Sequence, residues 1–237
     1  MKLDNILFLD IETVPLHPNY DDLSEEAQLL FADKTSYQRK EMSAADFYER
    51  AGIWAEFGKI ICLSVGYFTS LKSKPRQFRM TSFYGEEVEL LTNFSQLLNT
   101  QFSRAYHRLC AHNGKEFDFP YIARRMMVHG LELPQALQTA GKKPWEVPHL
   151  DTMELWKFGD YKHYTSLKLL THTLNIPSPK TDIDGSQVSK VYYRDNNLEN
   201  IVRYCEQDVL AVAQVILRFA RHPLLTDHEI AHVSAKE

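Results

Sequence analysis

Residues 6–13 read Ile-Leu-Phe-Leu-Asp-Ile-Glu-Thr, and no other stretch limits the possible folds as much. An unbroken run of Ile, Leu and Phe suits a strand covered on both faces. Side chains alternate along a strand, so Asp10 and Glu12 share one face while Ile11 takes the other. Two neighbouring carboxylates repel each other. They stay ionised when a positive charge sits between them, most simply a divalent cation. The plainer alternative is an Asp10 that caps the strand end beside a solvated Glu12.

The chain has 237 residues, 44% of them apolar, enough for a sizeable core in one large domain or two small ones. Its net charge of −4 provides no global basic field for nonspecific phosphate binding, but says little against an enzyme whose positive charge is local. The cysteines, Cys62, Cys110 and Cys205, form no metal-ligand spacing and sit among apolar neighbours, as buried free thiols of a reducing compartment do. The opening residues are no signal peptide and no apolar run reaches membrane-spanning length, which predicts a cytoplasmic protein without a membrane partner. No repeat, low-complexity tract or linker marks a domain boundary.

After residue 13, Pro15 and Pro18 interrupt regular structure. Residues 21–57 are polar, acidic and helix-prone, and read as amphipathic helices inserted between strands, a solvated cap. Two strands follow, at 59–69 and 76–84, close enough for an antiparallel hairpin. A helix is expected from about 85 to 102, with Leu90, Leu91, Phe94, Leu97 and Leu98 as its apolar stripe. A short strand at 108–112 leads through Asn113-Gly114 into a helix over 117–129, with Pro120 near its first turn. Beyond a loop-like stretch at 131–147, residues 148–151 suit a short strand, 167–174 a helix and 186–193 a short helix.

The strongest helix is predicted over 198–221, capped by Asn196 or Asn197, with Leu198, Ile201, Cys205, Val209, Val212, Ile216 and Phe219 on one stripe. Tyr204 and Asp208 are one turn apart at the edge of that stripe, while Glu206 points away and reads as a solvated charge. A carboxylate against the core is costly unless paired or bound to metal. Residues from about His222 read as a frayed tail. A further candidate, Asp118, lies between Phe117 and Phe119 at a helix start, where its plain role would be a helix cap.

Taken together, Asp10-Ile11-Glu12-Thr13, Asn113 with Asp118, and Tyr204-x-x-x-Asp208 resemble the three motifs of the DEDDy 3′–5′ exonuclease superfamily. The chain looks most like stand-alone exonucleases related to the proofreading domain of family-B DNA polymerases. The resemblance spans about residues 7–221, and the segment 180–185 also sits as it would in that group. It implies an α/β, ribonuclease H-like fold: a mixed central sheet with flanking helices, in a single domain over 1–221 with a helical insertion at about 16–57 and a tail at 222–237. It implies two divalent ions, Mg²⁺ or Mn²⁺, held by Asp10, Glu12, Asp118 and Asp208, with Tyr204 orienting the attacking water. The same resemblance implies removal of nucleotides from single-stranded DNA 3′ ends. Thr13, Asn113, Phe117, Phe119 and Lys180 are expected substrate contacts, although packing explains the phenylalanines and Tyr204 as simply. The local excess of lysine and arginine over 157–194 suits either a phosphate track or a solvated surface. A polymerase or repair partner fits the resemblance without being readable.

Three rivals have distinct signatures. A haloacid dehalogenase-type phosphatase also places an aspartate after an apolar strand, but it wants Asp-x-Asp where Glu12 stands and leaves Tyr204 and Asp208 unexplained. A ribonuclease D-type exoribonuclease shares the DEDDy motifs and differs in polymer. A non-catalytic nucleic-acid-binding module on the same fold would be expected to lack an acidic ligand, whereas all of them are present.

Overall fold

The structure is a computed structural model and describes residues 2–69, 76–160, 164–177 and 183–233. Its centre is β1 (Ile6–Pro15), hydrogen-bonded antiparallel to β2 (Gly58–Phe68) on one side and parallel to β4 (Arg108–Ala111) on the other. β3 (Phe78–Tyr84) completes the antiparallel hairpin with β2, and β5 (Leu150–Asp151) runs parallel to β4. Among the described residues a sixth strand, β6 (Ile230–His232), pairs in parallel with β3, giving the order β5-β4-β1-β2-β3-β6. The fold is thus the mixed α/β sheet with flanking helices expected from the sequence.

Alternation along β1 divides the core. Leu7, Leu9 and Ile11 face one side, packing with α3 (Glu87–Gln101) and α4 (Asp118–Val128). Ile6 and Phe8 face the other, against the C-terminal half of α8 (Leu198–Phe219). Val14 packs on that same side with Ile201 and Cys205 of α8 and with α7 (Val188–Tyr193). Asp10 and Glu12 fall between these two apolar clusters, on the α8 face. Glu12 pairs with Cys62 while Thr13 pairs with Ile60, so Ile61 is an extra residue in β2. Such a bulge sharpens the local twist at the end of the strand that carries the carboxylates.

Residues 16–57 form more than a solvated cap. α1 (Glu25–Arg39), α2 (Ala44–Phe47) and 3-10 turns enclose Leu23, Phe31, Phe47, Tyr48, Ala51 and Phe57. Phe31 is fully buried beneath Tyr48, Trp54 and Phe57, all edge-on to it. α4 fastens this small core to the sheet: the Tyr121 hydroxyl donates to Gly52 O at 2.8 Å, and Arg125 Nη1 donates to Ala55 O at 2.9 Å. Arg125 also pairs with the buried Glu87 of α3 at 2.6 Å, and His129 lies 2.7 Å from the same carboxylate.

Three local expectations change. α5 (Thr152–Lys157) was not foreseen; it is capped by Asp151 and ends at Phe158 with φ 44°, and α6 (Leu167–Thr173) follows it. The expected tail from His222 instead buries Leu225, whose backbone N–H and carbonyl are both taken by Gln214, and enters the sheet as β6. Arg76 locks that return by pairing with Glu229 at 2.9 Å. Glu206, expected to be solvated, accepts from Ser82 Oγ at 2.8 Å and lies 3.3 Å from His232.

Candidate active site

The site lies where β1, α4 and α8 meet. A carboxylate oxygen of Asp10, one of Glu12 and the Cys205 sulfur lie within 4.8 Å of one another. The Cys205 thiol donates to Asp10 O at 3.3 Å and to Asp10 Oδ2 at 3.5 Å. Asp208 comes one turn after Tyr204, and the tyrosine hydroxyl donates to its carboxylate. Asp118 opens α4 from the other side of the sheet. Its carboxylate accepts from its own backbone N–H and from that of Ile11, which ties it to β1 between Asp10 and Glu12. A Cβ at Gly185 would stand 4.0 Å from the Tyr204 hydroxyl, so the 183–187 turn walls this side of the site.

These carboxylates resist ionisation together. Burial pushes Asp10 well above the usual carboxylate range, and the charges of Asp118, Asp208 and Glu12 push it further. Glu12 rises for the same reason, burial first and then Asp208, Cys62 and Asp118. Burial raises Asp118 to about 7 against the pull of its two backbone N–H groups, and raises Asp208 to about 6 against that of Tyr204. Tyr204 is raised by burial and by the charges of Asp208, Glu12 and Asp10. A cluster of hard oxygen donors that repel one another is what a divalent cation relieves. Asp118 Oδ1 and Asn113 Oδ1 are also buried without hydrogen-bond partners among the described residues. Unsatisfied acceptors of this kind cost free energy unless a donor or cation meets them. Asp10, Glu12, Asp118 and Asp208 therefore fit a site for divalent metal.

The expected substrate contacts divide. Asn113 lies in the loop before Asp118 with φ 63° and an unpartnered side-chain oxygen. Thr13 lies on the face away from Glu12, its hydroxyl bonded to that of Tyr121. Phe117 is half-buried, tilted against Tyr121 at 5.3 Å. Phe119 does not serve as a stacking platform: it is 3% exposed, inside the core and edge-on to His149. An aromatic ring at the second position of α4 follows Asp118 into the interior rather than toward solvent. Lys180 lies outside the described residues.

Two neighbours of the site were passed over in the sequence. Composition shows Cys205 only as a buried thiol, yet its place three residues before Asp208 puts it on the same helix face. Asp151 ends the expected short strand, and Asp151-Thr152-Met153-Glu154 is also a helix-start pattern. Its carboxylate bonds Asn113 N at 3.0 Å and Lys115 N at 3.1 Å.

The mixed sheet with flanking helices is of the ribonuclease H-like class of fold, and in this chain acidic side chains gather at the end of its central strand. Within that class, the chain belongs to the family described as predicted 3′-5′ exonuclease related to the exonuclease domain of PolB, whose model matches residues 54–232, well over half of the chain. The matched stretch begins beyond β1, so Asp10 and Glu12 are brought to it by strand pairing. Among solved structures, the family B DNA polymerase from the hyperthermophilic archaeon Pyrobaculum calidifontis is similar in fold, with 15% identity and a TM-score of 0.57 over 91% of this chain. The match spans only 24% of that polymerase.

Proposed function

We propose that the chain is a cytoplasmic exonuclease that removes nucleotides one at a time from the 3′ end of single-stranded DNA by phosphodiester hydrolysis with two divalent ions, Mg²⁺ or Mn²⁺. The observation that carries this reading is the convergence of Asp10, Glu12, Asp118 and Asp208 with the Tyr204 hydroxyl held on Asp208. The four carboxylates would hold the ions, which when bound supply charge stabilisation at the attacking and leaving oxygens.

Tyr204 would orient the nucleophilic water rather than deprotonate it. Its raised pKa keeps the phenol neutral, and its proton is committed to Asp208. What it offers a water is therefore an acceptor oxygen, which fixes orientation. A duplex end must fray to enter a site walled by α4, α8 and the 183–187 turn, at about 1–2 kcal/mol of stacking per step. Single strands and mismatched 3′ ends are accordingly the better substrates.

The test is digestion of 5′-labelled single-stranded DNA and RNA in parallel, with Mg²⁺, Mn²⁺ or excess chelator. A ladder receding from the 3′ end of DNA, abolished by chelator, is the expected result. Cuts in a circular single strand, or faster loss of RNA, would overturn the substrate assignment.

A further inference from the structure

We infer that Asp151, which the proposed chemistry does not use, is a positioning residue whose carboxylate fixes the turn that aims Asp118 at Asp10 and Asp208. The inference deepens the exonuclease reading and rests on it for the role of Asp118. Asp151 is 1% exposed. Its Oδ1 accepts from Asn113 N at 3.0 Å, Met153 N at 2.9 Å and Glu154 N at 3.3 Å, and its Oδ2 accepts from Lys115 N at 3.1 Å. One buried carboxylate thus joins the start of α5 to the loop between β4 and α4.

That loop sets where α4 begins. Asn113 takes φ 63°, a conformation asparagine tolerates better than most side chains. From there Glu116 N and Phe117 N donate to Asn113 O at 3.2 and 3.0 Å, and Phe119 N donates to Gly114 O at 2.9 Å. Asp118 is the first helical residue after this turn. A slip in the turn would swing Asp118 away from the Ile11 N–H that ties it to β1. Lys115 Nζ on Glu154 at 2.7 Å adds a second tether between the same elements. His112, whose ring nitrogens lie 2.8 Å from Thr152 Oγ1 and 2.8 Å from Thr165 O, adds a third.

Both oxygens of Asp151 face N–H groups, so an amide cannot replace the carboxylate without turning its NH₂ against a backbone donor. Asp151→Asn can keep the cap of α5 through its one oxygen and still lose the bond to Lys115 N. This separates positioning from helix capping, which the substitution spares.

The experiment compares the parent, Asp151→Asn, Asp118→Ala and the double variant for Mn²⁺ binding by calorimetry, for kcat and KM on single-stranded DNA, and for melting temperature. Asp151→Asn is expected to weaken Mn²⁺ binding about tenfold, in line with losses at groups that orient metal ligands. It should also lower kcat with KM little changed, and melt only a few degrees below the parent, since one buried N–H loses its acceptor. In the Asp118→Ala background it should weaken Mn²⁺ binding no further, because its effect passes through Asp118. Parent-like Mn²⁺ binding in Asp151→Asn, or an equal loss with and without Asp118, would overturn the inference. The Mn²⁺ arm needs no substrate, so it decides on Asp151 even where cleavage fails, and failed cleavage counts against the exonuclease reading alone.

Discussion

Tyr204 and Asp10 place opposite demands on the folded chain. The Tyr204 hydroxyl satisfies Asp208 and is a stabilising contact, whereas Asp10 is half-buried among like charges and is destabilising when ionised. Tyr204→Phe removes one oxygen and keeps the ring. It is expected to lower kcat about 10²-fold, the scale of a misplaced reacting group, with Mn²⁺ binding close to the parent's in calorimetry. A variant that cuts as fast as the parent would make the tyrosine a packing residue. Asp10→Asn should abolish cleavage and yet raise the melting temperature in chelator, because the amide carries no charge to bury. A lower melting temperature without metal would show that Asp10 is not under the strain its neighbours imply.

Among the elements, α4 carries two loads. Its first turn presents Asp118, and its second and third hold the insertion through Tyr121 and Arg125. Glu87 stays ionised although burial opposes it, because Arg125, the Ile60 N–H and His129 outweigh that cost. Arg125→Met would take the guanidinium from this buried carboxylate, leaving it only the Ile60 N–H and His129, and strip Ala55 O of its donor, at about 3 kcal/mol. Urea unfolding should register that loss, and limited proteolysis should cut within 16–57 first; an unchanged midpoint would contradict the buried pairing. Elements with long periodic signals were legible in the sequence: β1 from its apolar run, α8 from its stripe, the β2–β3 hairpin from spacing. The insertion's core was not, because Leu23, Phe31, Phe47, Tyr48 and Phe57 come from separate short pieces and share no period. α5 and β6 are too short to leave a pattern. Asp10, Glu12, Asp118, Tyr204 and Asp208 stood out as chemistry on predicted elements, but Asp151 works through backbone bonds that no motif displays.

For the molecule as a whole, the carboxylate cluster should govern how stability depends on pH. Asp118 is raised to about 7 and Asp208 to about 6, with Asp10 and Glu12 also shifted upward. Each folded value exceeds its unfolded one, near 4, so across this range the folded state binds more protons and loses stability as pH rises. Glu87 and Glu229 are shifted downward, and their contributions are lost only as pH falls through the lower carboxylate range. His149, lowered to about 4 by burial, and His112, also lowered by burial, act the other way below about pH 6.5, but the four raised carboxylates outnumber them, so between about pH 5 and 7 the metal-free protein should melt at progressively lower temperature. Saturating Mg²⁺ should flatten or reverse that slope, because a bound cation favours the ionised groups. Scanning fluorimetry with Mg²⁺ and with chelator reads both slopes, and a metal-free melting temperature that rises over this window would refute the coupling.

At the far side of the sheet, β6 covers the edge of β3, where Val233 N also donates to Met80 O at 2.8 Å. A bare edge there would expose the unpaired backbone groups of a strand whose Phe78 and Met80 are buried in the intact fold, the kind of surface on which chains stack into aggregates. The last strand thus serves colloidal solubility as much as folding. A chain cut back to residue 221 should retain its carboxylate cluster and nevertheless elute as soluble oligomers or precipitate.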